Sequence, residues 1–436
     1  MKAQKKLHKK SDWKAAYLLM SPALILIFVI AIYPVLQSMY FSLFDYKLND
    51  PTKASTTRHY SLDLNRYLDN APFLMADLKN DATKASGEPK ATLTKINQQL
   101  TTIDNEIRKE SGDRYNKVND ILNNYKTPSE KLSIVTISKS TAEAIQKATD
   151  QVTKQLKALN QNTKVLSNAK KDIGLASGLE DTLNKPNFIG LKHYAHFLKD
   201  SRMWAAILHT VVFTVISVAI EFVLGLAIAL LINKAFFGRG LIRAAVLVPW
   251  AIPTAVSAMM WKYLYDGQSG IIAKFFEKIG LIHNMGTLLT TGDGAMFSVI
   301  LTDVWKTTPY MALLLLAGLQ VIPKSLYEAA AIDGANKWKQ FLNITLPLLK
   351  LSILVSLLFR TLDAFRVFDL ISVLTGGGPA NSTETISIYA YKVMFSETDF
   401  GSGSALSVIV FICVAIISAI FVKLLGSDLL PEGSKK

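Results

Sequence analysis

The chain has 436 residues, of which 50% are hydrophobic and only 19% are Asp, Glu, Lys or Arg, yet its formal net charge is +14. A soluble protein this basic usually carries more charge overall, so the composition argues against a purely soluble protein and predicts membrane-spanning segments. The single cysteine, Cys413, excludes an intrachain disulfide and a cysteine metal cluster. The six histidines are scattered, and no metal site is predicted. Much of the excess Lys and Arg flanks apolar segments, which explains the charge more simply than a nucleic-acid partner does.

Six segments are long and apolar enough to cross a hydrocarbon core about 30 Å thick, which takes about 20 helical residues. They are residues 15–44, 204–232, 242–264, 295–321, 346–373 and 405–425. The first is too long for a signal-peptide core and lacks a convincing cleavage site, so it is predicted to be a retained helix, kinked near Pro34. The predicted fold class is all-α, a polytopic membrane protein with six transmembrane helices.

The positions of Lys and Arg predict the orientation of these spans. The N-terminal tail, residues 1–14, contains six lysines, and cytoplasmic flanks of membrane proteins are enriched in such residues. Alternation then places the basic flanks around Arg239 and Lys337, and the C-terminal tail 426–436, on the same side. We therefore expect a multi-pass protein of a bacterial plasma membrane with both termini in the cytoplasm.

Residues 45–186 form a long polar insertion after the first span, which this orientation places outside the membrane on the extracytoplasmic side. Apolar residues recur at helical spacing over residues 96–107, 118–125 and 144–159. The pattern predicts an extracytoplasmic helical domain of two to four helices, with a hairpin-like arrangement. A disordered linker is the alternative, but apolar faces that repeat so regularly are not typical of solvated coil.

The loop between the fourth and fifth spans, residues 322–347, carries the most informative motif. From residue 327 it reads Tyr-Glu-Ala-Ala-Ala-Ile-Asp-Gly-Ala. The first part favours a short helix, Gly334 permits the positive φ of a sharp turn, and an amphipathic helix follows. Such a protruding helix–turn–helix suits docking into a groove of another protein. On composition alone, an interfacial loop without a partner fits equally well.

This loop resembles the EAA loop of ABC importer permeases, specifically of the carbohydrate-uptake branch related to maltose-type permeases. Further motifs resemble that branch in the same order. They start at Asn187 (Asn-Phe-Ile-Gly-Leu), Leu224 (Leu-Gly-Leu), Pro249 (Pro-Trp-x₂-Pro) and Leu374 (Leu-Thr-Gly-Gly-Gly-Pro). The resemblance covers residues 187–425 and the first span. Two features depart from it: Leu351, where the family often has a second proline, and the long insertion.

The resemblance implies a permease core over residues 187–425 that couples to a separate ATPase. The residues implied in this coupling are Glu328, Ala329, Ala330, Asp333, Gly334 and Ala335. Glu328 and Asp333 are implied to hold the loop through capping and salt bridges. The implied assembly contains a second homologous permease, two ATPase subunits that use ATP and Mg²⁺, and an extracytoplasmic solute-binding protein. Maltose-type permeases carry a domain at the position of the insertion that contacts this binding protein, so the insertion is expected to dock it; a shield or spacer is the alternative.

No phosphate-binding loop and no convincing catalytic arrangement occurs in the sequence, so the chain is predicted to have no catalytic residue and no cofactor of its own. Ionisable residues inside the spans suggest a substrate site instead, because such residues are costly in a membrane and usually face a cavity or each other. The candidates are Asp303, Lys306, Thr307 and Tyr310 on one face of the fourth span and Arg360 and Asp363 in the fifth. In the maltose-type family these regions line the sugar path.

The alternative for these residues is structural. Asp303 with Lys306, and Arg360 with Asp363, would then form ion pairs at the membrane edge. Glu221 in the second span is predicted to be a structural partner for one of the basic residues.

The predicted function is that of a membrane permease subunit of an ATP-driven importer, with maltose or a maltodextrin as the first candidate substrate. A permease of the same class for another sugar or sugar derivative is the nearest alternative. An ion-coupled secondary transporter would need no ATPase-docking loop. A membrane-anchored receptor would need only one or two spans.

Overall fold

A computed structural model describes Trp13 and residues 17–50 and 53–429 of the chain. Most of the predicted N-terminal tail, and the C-terminal tail from residue 430, lie outside the described residues. The described chain is predominantly helical, which confirms the predicted all-α class. It divides into a membrane unit (Met1–Met39, His193–Glu397 and Gly403–Lys436) and an insertion unit (Tyr40–Lys192 and Thr398–Ser402).

The helices are numbered in chain order. They are α1 (Tyr17–Phe41), α2 (Leu64–Lys84), α3 (Glu88–Ser111), α4 (Asp113–Asn123), α5 (Glu130–Ser133), α6 (Lys139–Asn162), α7 (Ala169–Gly178), α8 (Lys192–Phe197), α9 (Ser201–Asn233), α10 (Arg239–Ala251), α11 (Thr254–Leu264), α12 (Ile271–Lys278), α13 (Thr287–Thr290), α14 (Gly292–Val321), α15 (Lys324–Ile332), α16 (Lys337–Phe365), α17 (Asp369–Leu374), α18 (Ile386–Tyr391) and α19 (Phe400–Leu429). The strands are β1 (Ser61–Asp63), β2 (Ile134–Thr136) and β3 (Leu183–Asn184).

Five of these helices, α1, α9, α14, α16 and α19, are long and apolar enough to cross a membrane, and the count is six if the bent pair α10–α11 is taken as one span. Five of the six predicted spans are thus single helices, whereas the predicted third span is not one helix. Its two halves are bent by 89°. Pro253 has no N–H to donate and disfavours helical backbone at the residue before it, and Ile252 accordingly has an extended ψ of 134°.

The fifth span also differs from its predicted bounds. Helix α16 begins at Lys337 inside the loop between the fourth and fifth spans, residues 322–347, which is called the coupling loop below. It contains a π-helical turn at Phe341–Thr345 and ends at Phe365 rather than at residue 373. The separate helix α17 follows. In α1, the predicted kink takes the form of a π-helical turn, Phe28–Ile32, directly before Tyr33 and Pro34. Because π turns relieve local strain without ending a helix, both spans continue past their prolines.

Small residues allow the central helices of the membrane unit to approach closely. A Cβ on Gly225 of α9 would lie 2.8 Å from Cγ of Met311 in α14. A Cβ on Gly318 of α14 would clash with the side chain of Ser352 in α16. Small residues at such crossings let the helix backbones approach closely, which is typical of helix packing in membranes. Helices α9, α14 and α16 therefore form the tightly packed centre of the unit.

The insertion unit has its own apolar core between α2, α3, α6 and α7. Its strands form a small antiparallel sheet in the order β2–β1–β3, with Leu62 opposite Val135 and Leu183. The predicted helical character is confirmed, but the number of helices is wrong, because α2 through α7 are six rather than two to four. Tyr125, assigned to an apolar face, follows the end of α4 with a φ of 54° and is fully exposed.

The carboxylate of Asp172 in the insertion unit is buried without a hydrogen-bond donor among the described residues. Asp172 of α7 is only 1% exposed, and neither of its oxygens accepts a hydrogen bond from the described residues. Burial, together with the negative charges of Asp77 and Asp81, raises the pKa of Asp172 to about 6. The folded unit therefore binds a proton at this position more readily than the unfolded chain does.

Candidate functional site

The membrane unit contains a cavity of about 550 Å³. Its walls are the α10–α11 bend, the middle of α14 and the junction between α16 and α17, so two of the three walls are places where a helix is interrupted. Five of the six candidate substrate residues line it: Asp303, Lys306, Thr307, Arg360 and Asp363. The sixth, Tyr310, stacks on the lining residue Trp250, with ring centroids 5.7 Å apart and planes inclined by 14°. The structure thus places all six candidates at or directly beside one cavity.

A buried ion network centred on Arg360 forms part of the wall of this cavity. The Arg360 guanidinium donates to both oxygens of Glu221, at 2.5 Å from Nε and 3.0 Å from Nη2. It also donates to Asp303, and from Nη1 to Asp363 at 3.1 Å. Arg360 is 1% exposed and Glu221 is 0% exposed. One arginine therefore joins α9, α14 and α16 through carboxylates on each helix.

This network resolves the structural pairings that the sequence left open. Glu221 does pair with a basic residue, as predicted, and that residue is Arg360. The predicted pair of Arg360 with Asp363 is also present, whereas Asp303 pairs with Arg360 rather than with Lys306. Four of the five guanidinium N–H groups of Arg360 are used in these bonds. Asp363, whose side chain is 61% exposed, is the member of the network that is open to a ligand.

Lys306 fastens α14 to the break in the third span. Its ammonium group donates to the main-chain carbonyl oxygen of Ile252 at 2.5 Å. That carbonyl belongs to the C-cap residue of α10, where the helix ends at the bend and supplies no donor four residues on. Lys306 is 6% exposed, and an ammonium group has three donors, so it can hold the bend and still donate to a ligand.

The charges that line the cavity are balanced. The carboxylates are Asp303, Asp363 and Asp369, and the basic groups are Lys306, Arg360 and Arg366. Glu221, bonded to Arg360 behind the wall, adds one further negative charge. A cavity without net positive charge does not attract an anionic ligand over a neutral one.

Two aromatic residues of the site were missed as candidates. Trp250 and Phe368 both line the cavity. Trp250 lies in the Pro-Trp-x₂-Pro motif, and an aromatic residue beside a proline-interrupted span is a signal that could have identified it. Phe368 lies at the α16–α17 junction, which the mean hydropathy does not distinguish from the rest of the predicted fifth span, residues 346–373. Nothing in its local sequence distinguishes it from a lipid-facing residue.

The predicted helix–turn–helix of the coupling loop is confirmed. Helix α15 ends at Ile332, Gly334 has a φ of +78°, and α16 starts at Lys337 after an Asn336 cap whose side chain accepts from the Lys339 N–H at 2.8 Å. Open space surrounds the position of a Cβ on Gly334. The turn thus requires glycine for its backbone conformation rather than for lack of room.

The implied salt bridges of this loop are absent. In the part of the chain that the structure describes, neither Glu328 nor Asp333 forms an ion pair. Besides the Asn336 cap, side-chain hydrogen bonds to neutral acceptors hold the loop. The Gln340 side chain donates to the Ala335 carbonyl at 3.0 Å, and the hydroxyls of Tyr327 and Thr345 lie 3.0 Å apart. Among the described residues, therefore, neither carboxylate of the loop has an ionic partner.

Comparison with known proteins identifies relatives of the membrane unit. Residues 221–430 match the family described as binding-protein-dependent transport system inner membrane component. The chain is 44% identical over 238 residues to the trehalose/maltose transport system permease protein MalF of Thermococcus litoralis, covering 54% of this chain and 79% of that protein. It is 45% identical over 246 residues to the trehalose transport system permease protein SugA of Mycobacterium tuberculosis, covering 56% and 78%.

A third relative and a solved structure extend the comparison. The sulfoquinovosyl glycerol transport system permease protein SmoG of Agrobacterium fabrum is 37% identical over 254 residues, covering 58% of this chain and 80% of that protein. A crystal structure of a bacterial ABC transporter involved in the import of the acidic polysaccharide alginate has a chain of the same fold. Its TM-score is 0.51 at 23% identity, over 56% of this chain and 85% of that one.

The similarity extends over most of each relative's length, and the stretch that matches the family, residues 221–430, includes the coupling loop. In ABC importers the permease subunits form the membrane path and separate ATPase subunits hydrolyse ATP. The chain therefore belongs to the family of binding-protein-dependent transport system inner membrane components, as a multi-pass carbohydrate ABC importer permease of the maltose type that is not itself an enzyme.

Proposed function

We propose that the cavity between the α10–α11 bend, α14 and the α16–α17 junction is this chain's part of the sugar path. The observation that carries the proposal is the convergence of polar side chains and a stacked aromatic pair at breaks in the spans. Carbohydrates offer hydroxyl groups for hydrogen bonds and C–H faces for aromatic contact. Thr307 and Asp363 supply the first kind of partner, and the Trp250–Tyr310 pair supplies the second.

The substrate class that fits this site is an uncharged sugar of the maltose, trehalose or maltodextrin type. The balanced charges of the cavity give no advantage to a carboxylated or sulfonated sugar. Two of the relatives named above transport trehalose, and one of these also transports maltose. SmoG, whose substrate carries a sulfonate, is less similar, at 37% identity.

Coupling to the ATPase is proposed to run through α16. This helix begins in the coupling loop at Lys337 and continues to Phe365, so it joins the loop directly to Arg360. Arg360 in turn bonds Glu221 of α9 and Asp303 of α14. A displacement of the loop would therefore reach three spans through one helix and one buried ion network, which is the kind of rigid connection that a two-state transition needs.

The remaining parts of the assembly follow from this proposal. Glu328, Ala329, Ala330, Asp333, Gly334 and Ala335 would lie in a cleft of one ATPase subunit. Two such subunits would bind ATP and Mg²⁺. The side chains of Ile332 and Trp338 are 87% and 65% exposed on the loop, which is consistent with a surface that a partner covers. A second permease would complete the path, and a solute-binding protein would deliver sugar on the side of the insertion unit, opposite the cytoplasmic termini.

An uptake experiment tests this proposal. The tagged chain is purified with its partners from the native membrane and reconstituted in proteoliposomes that contain ATP, with the binding protein supplied on the other side. We expect uptake of maltose or trehalose. The Tyr310→Ala variant should lower its rate about two- to tenfold, since a lost stacking contact costs about 0.5–1.5 kcal/mol.

The matched control is Tyr263→Ala, which removes a side chain that is 66% exposed on α11 and does not line the cavity. Its uptake should equal that of the wild type. Uptake that is unaffected by Tyr310→Ala would refute the sugar site. Uptake that needs an ion gradient and no ATP would instead favour a secondary transporter.

A further inference from the structure

A second cavity, of about 300 Å³, lies in the membrane unit between α18 with its following π turn and α19. Three aromatic rings line it, those of Phe368, Tyr391 and Phe395, together with the hydroxyl groups of Ser387 and Ser407. The proposed sugar path does not account for this cavity. Its volume lies at the lower end of the range for small-molecule sites in proteins.

The three rings stand in a row. The centroids of Phe368 and Tyr391 are 4.8 Å apart, and those of Tyr391 and Phe395 are 4.9 Å apart. Tyr391 is 45% exposed and Phe395 is 54% exposed. Both rings are therefore accessible at the surface of the membrane unit.

Phe368 links this row to the proposed sugar path. It lies at the junction between α16 and α17 and lines both cavities. The aromatic row therefore starts at the rim of the first cavity and leads away from it along α18.

The composition of the second cavity favours a sugar over an acyl chain. Its surface is mostly apolar, formed by the three aromatic rings with Ala390, Met394 and Val410, and two serines contribute polar groups to the wall. The Ser407 hydroxyl donates to the Gly403 carbonyl at 3.0 Å, which leaves its oxygen free to accept a hydrogen bond from a ligand. Ser387 and the Tyr391 phenol add two further hydroxyls. An acyl chain would use none of these groups.

We propose that this cavity is a second carbohydrate subsite, which holds one sugar ring against Tyr391 and Phe395 beside the main cavity. The inference rests on the proposed function, because it takes the first cavity as the sugar path. An oligosaccharide long enough to occupy both cavities contacts the aromatic row while its end lies at Thr307 and Asp363. A disaccharide that fills the first cavity gains little from the row.

Chain-length dependence tests the subsite. Uptake of maltose and of maltopentaose is measured in the reconstituted importer at saturating, loaded binding protein, so that the rate reports passage through the permease rather than capture. The double variant Tyr391→Ala/Phe395→Ala should lower the maltopentaose rate about five- to tenfold and the maltose rate less than twofold. The control, Phe411→Ala, removes a ring that is 48% exposed on α19 outside the cavity, and should change neither rate.

Direct binding separates the possible occupants. The Tyr391→Trp variant, reconstituted in nanodiscs with its partners, should change its fluorescence when maltopentaose is added. Quenching by brominated lipid without any response to sugar would assign the cavity to lipid and overturn the proposal. Loss of the second permease from complexes of the double variant would assign it to the permease interface, with the same consequence.

The test also distinguishes this inference from the proposed function. If the wild type transports sugar and Tyr310→Ala impairs it, while the aromatic double variant affects both sugars equally or neither, only the subsite fails. If the wild type transports no sugar, or if Tyr310→Ala has no effect, the sugar path itself fails.

Discussion

The replacement of Arg360 by methionine tests the buried ion network most sharply. Methionine keeps a long apolar side chain but leaves Glu221, which is 0% exposed, and Asp303, which is 5% exposed, without their shared cation. Removing one partner of a buried ion pair typically costs about 3–5 kcal/mol. For a domain of this size, 1 kcal/mol corresponds to about 2–4 °C in Tm. We therefore expect Arg360→Met to lower Tm by about 10 °C.

Thermal unfolding of the chain can be followed in detergent with a dye that fluoresces when it reacts with a thiol. Cys413 is the only cysteine of the chain and is partly buried in α19, so the signal reports the unfolding of this span. The triple variant Glu221→Gln/Arg360→Met/Asp303→Asn removes the unpaired charges and should recover most of the lost stability. That recovery would identify uncompensated charge, rather than lost packing, as the cause.

The matched control for this prediction is Arg366→Met. Arg366 is 65% exposed, and its closest carboxylate, Asp363, lies 3.9 Å away. Such an exposed pair contributes about 0–1 kcal/mol, so the control should shift Tm by no more than about 4 °C. If Arg360→Met lowers Tm no more than Arg366→Met does, the network does not hold the three spans together.

Three further predictions follow from single positions. Gly318→Val should prevent α14 and α16 from packing and lower Tm, whereas Gly240→Val, with no atom within 4 Å of the added Cβ, should fold at nearly wild-type yield. Because the pKa of Asp172 in the folded chain is raised to about 6, from an ordinary 3.8, the chain should gain stability as the pH falls from 7 to about 5. The Asp172→Asn variant should remove this gain and raise the free energy of unfolding at pH 7 by about 1–2 kcal/mol, which thermal unfolding measures. Gly334→Val strains a φ of +78° in open space, so the variant should insert and bind sugar but lose ATP-dependent uptake and co-purification of the ATPase.

Hydropathy predicted the membrane crossings because an apolar length is a local property of the sequence. The break between α10 and α11 was not predicted, since Pro253 stands in an apolar stretch and the average over the segment conceals it. The sheet of the insertion unit escaped for a related reason: its strands are two or three residues long and show no periodicity. Turn chemistry was more reliable, as the positive φ of Gly334 shows.

The residues of the cavity were predictable as a set but not in their individual roles. Charged groups at helical spacing indicated Asp303, Lys306 and Arg360, because each is costly in a membrane. Which charged groups pair depends on how α9, α14 and α16 cross. The local sequence around each residue does not determine this crossing. The assignment of Glu221 to Arg360, and of Lys306 to a main-chain carbonyl, therefore required the three-dimensional structure.

The most direct test of the sugar path is protection of a single thiol by the sugar. Asp363→Cys, in a Cys413→Ser background, places the thiol at a lining position whose native side chain is 61% exposed, and Ile271→Cys, at a position 69% exposed outside the cavity, is the control. In the reconstituted importer with ATP and loaded binding protein, maltose or trehalose should slow maleimide labelling at position 363 and leave position 271 unchanged. Equal labelling at position 363 with and without sugar, in complexes that still transport it, would show that the sugar passes elsewhere.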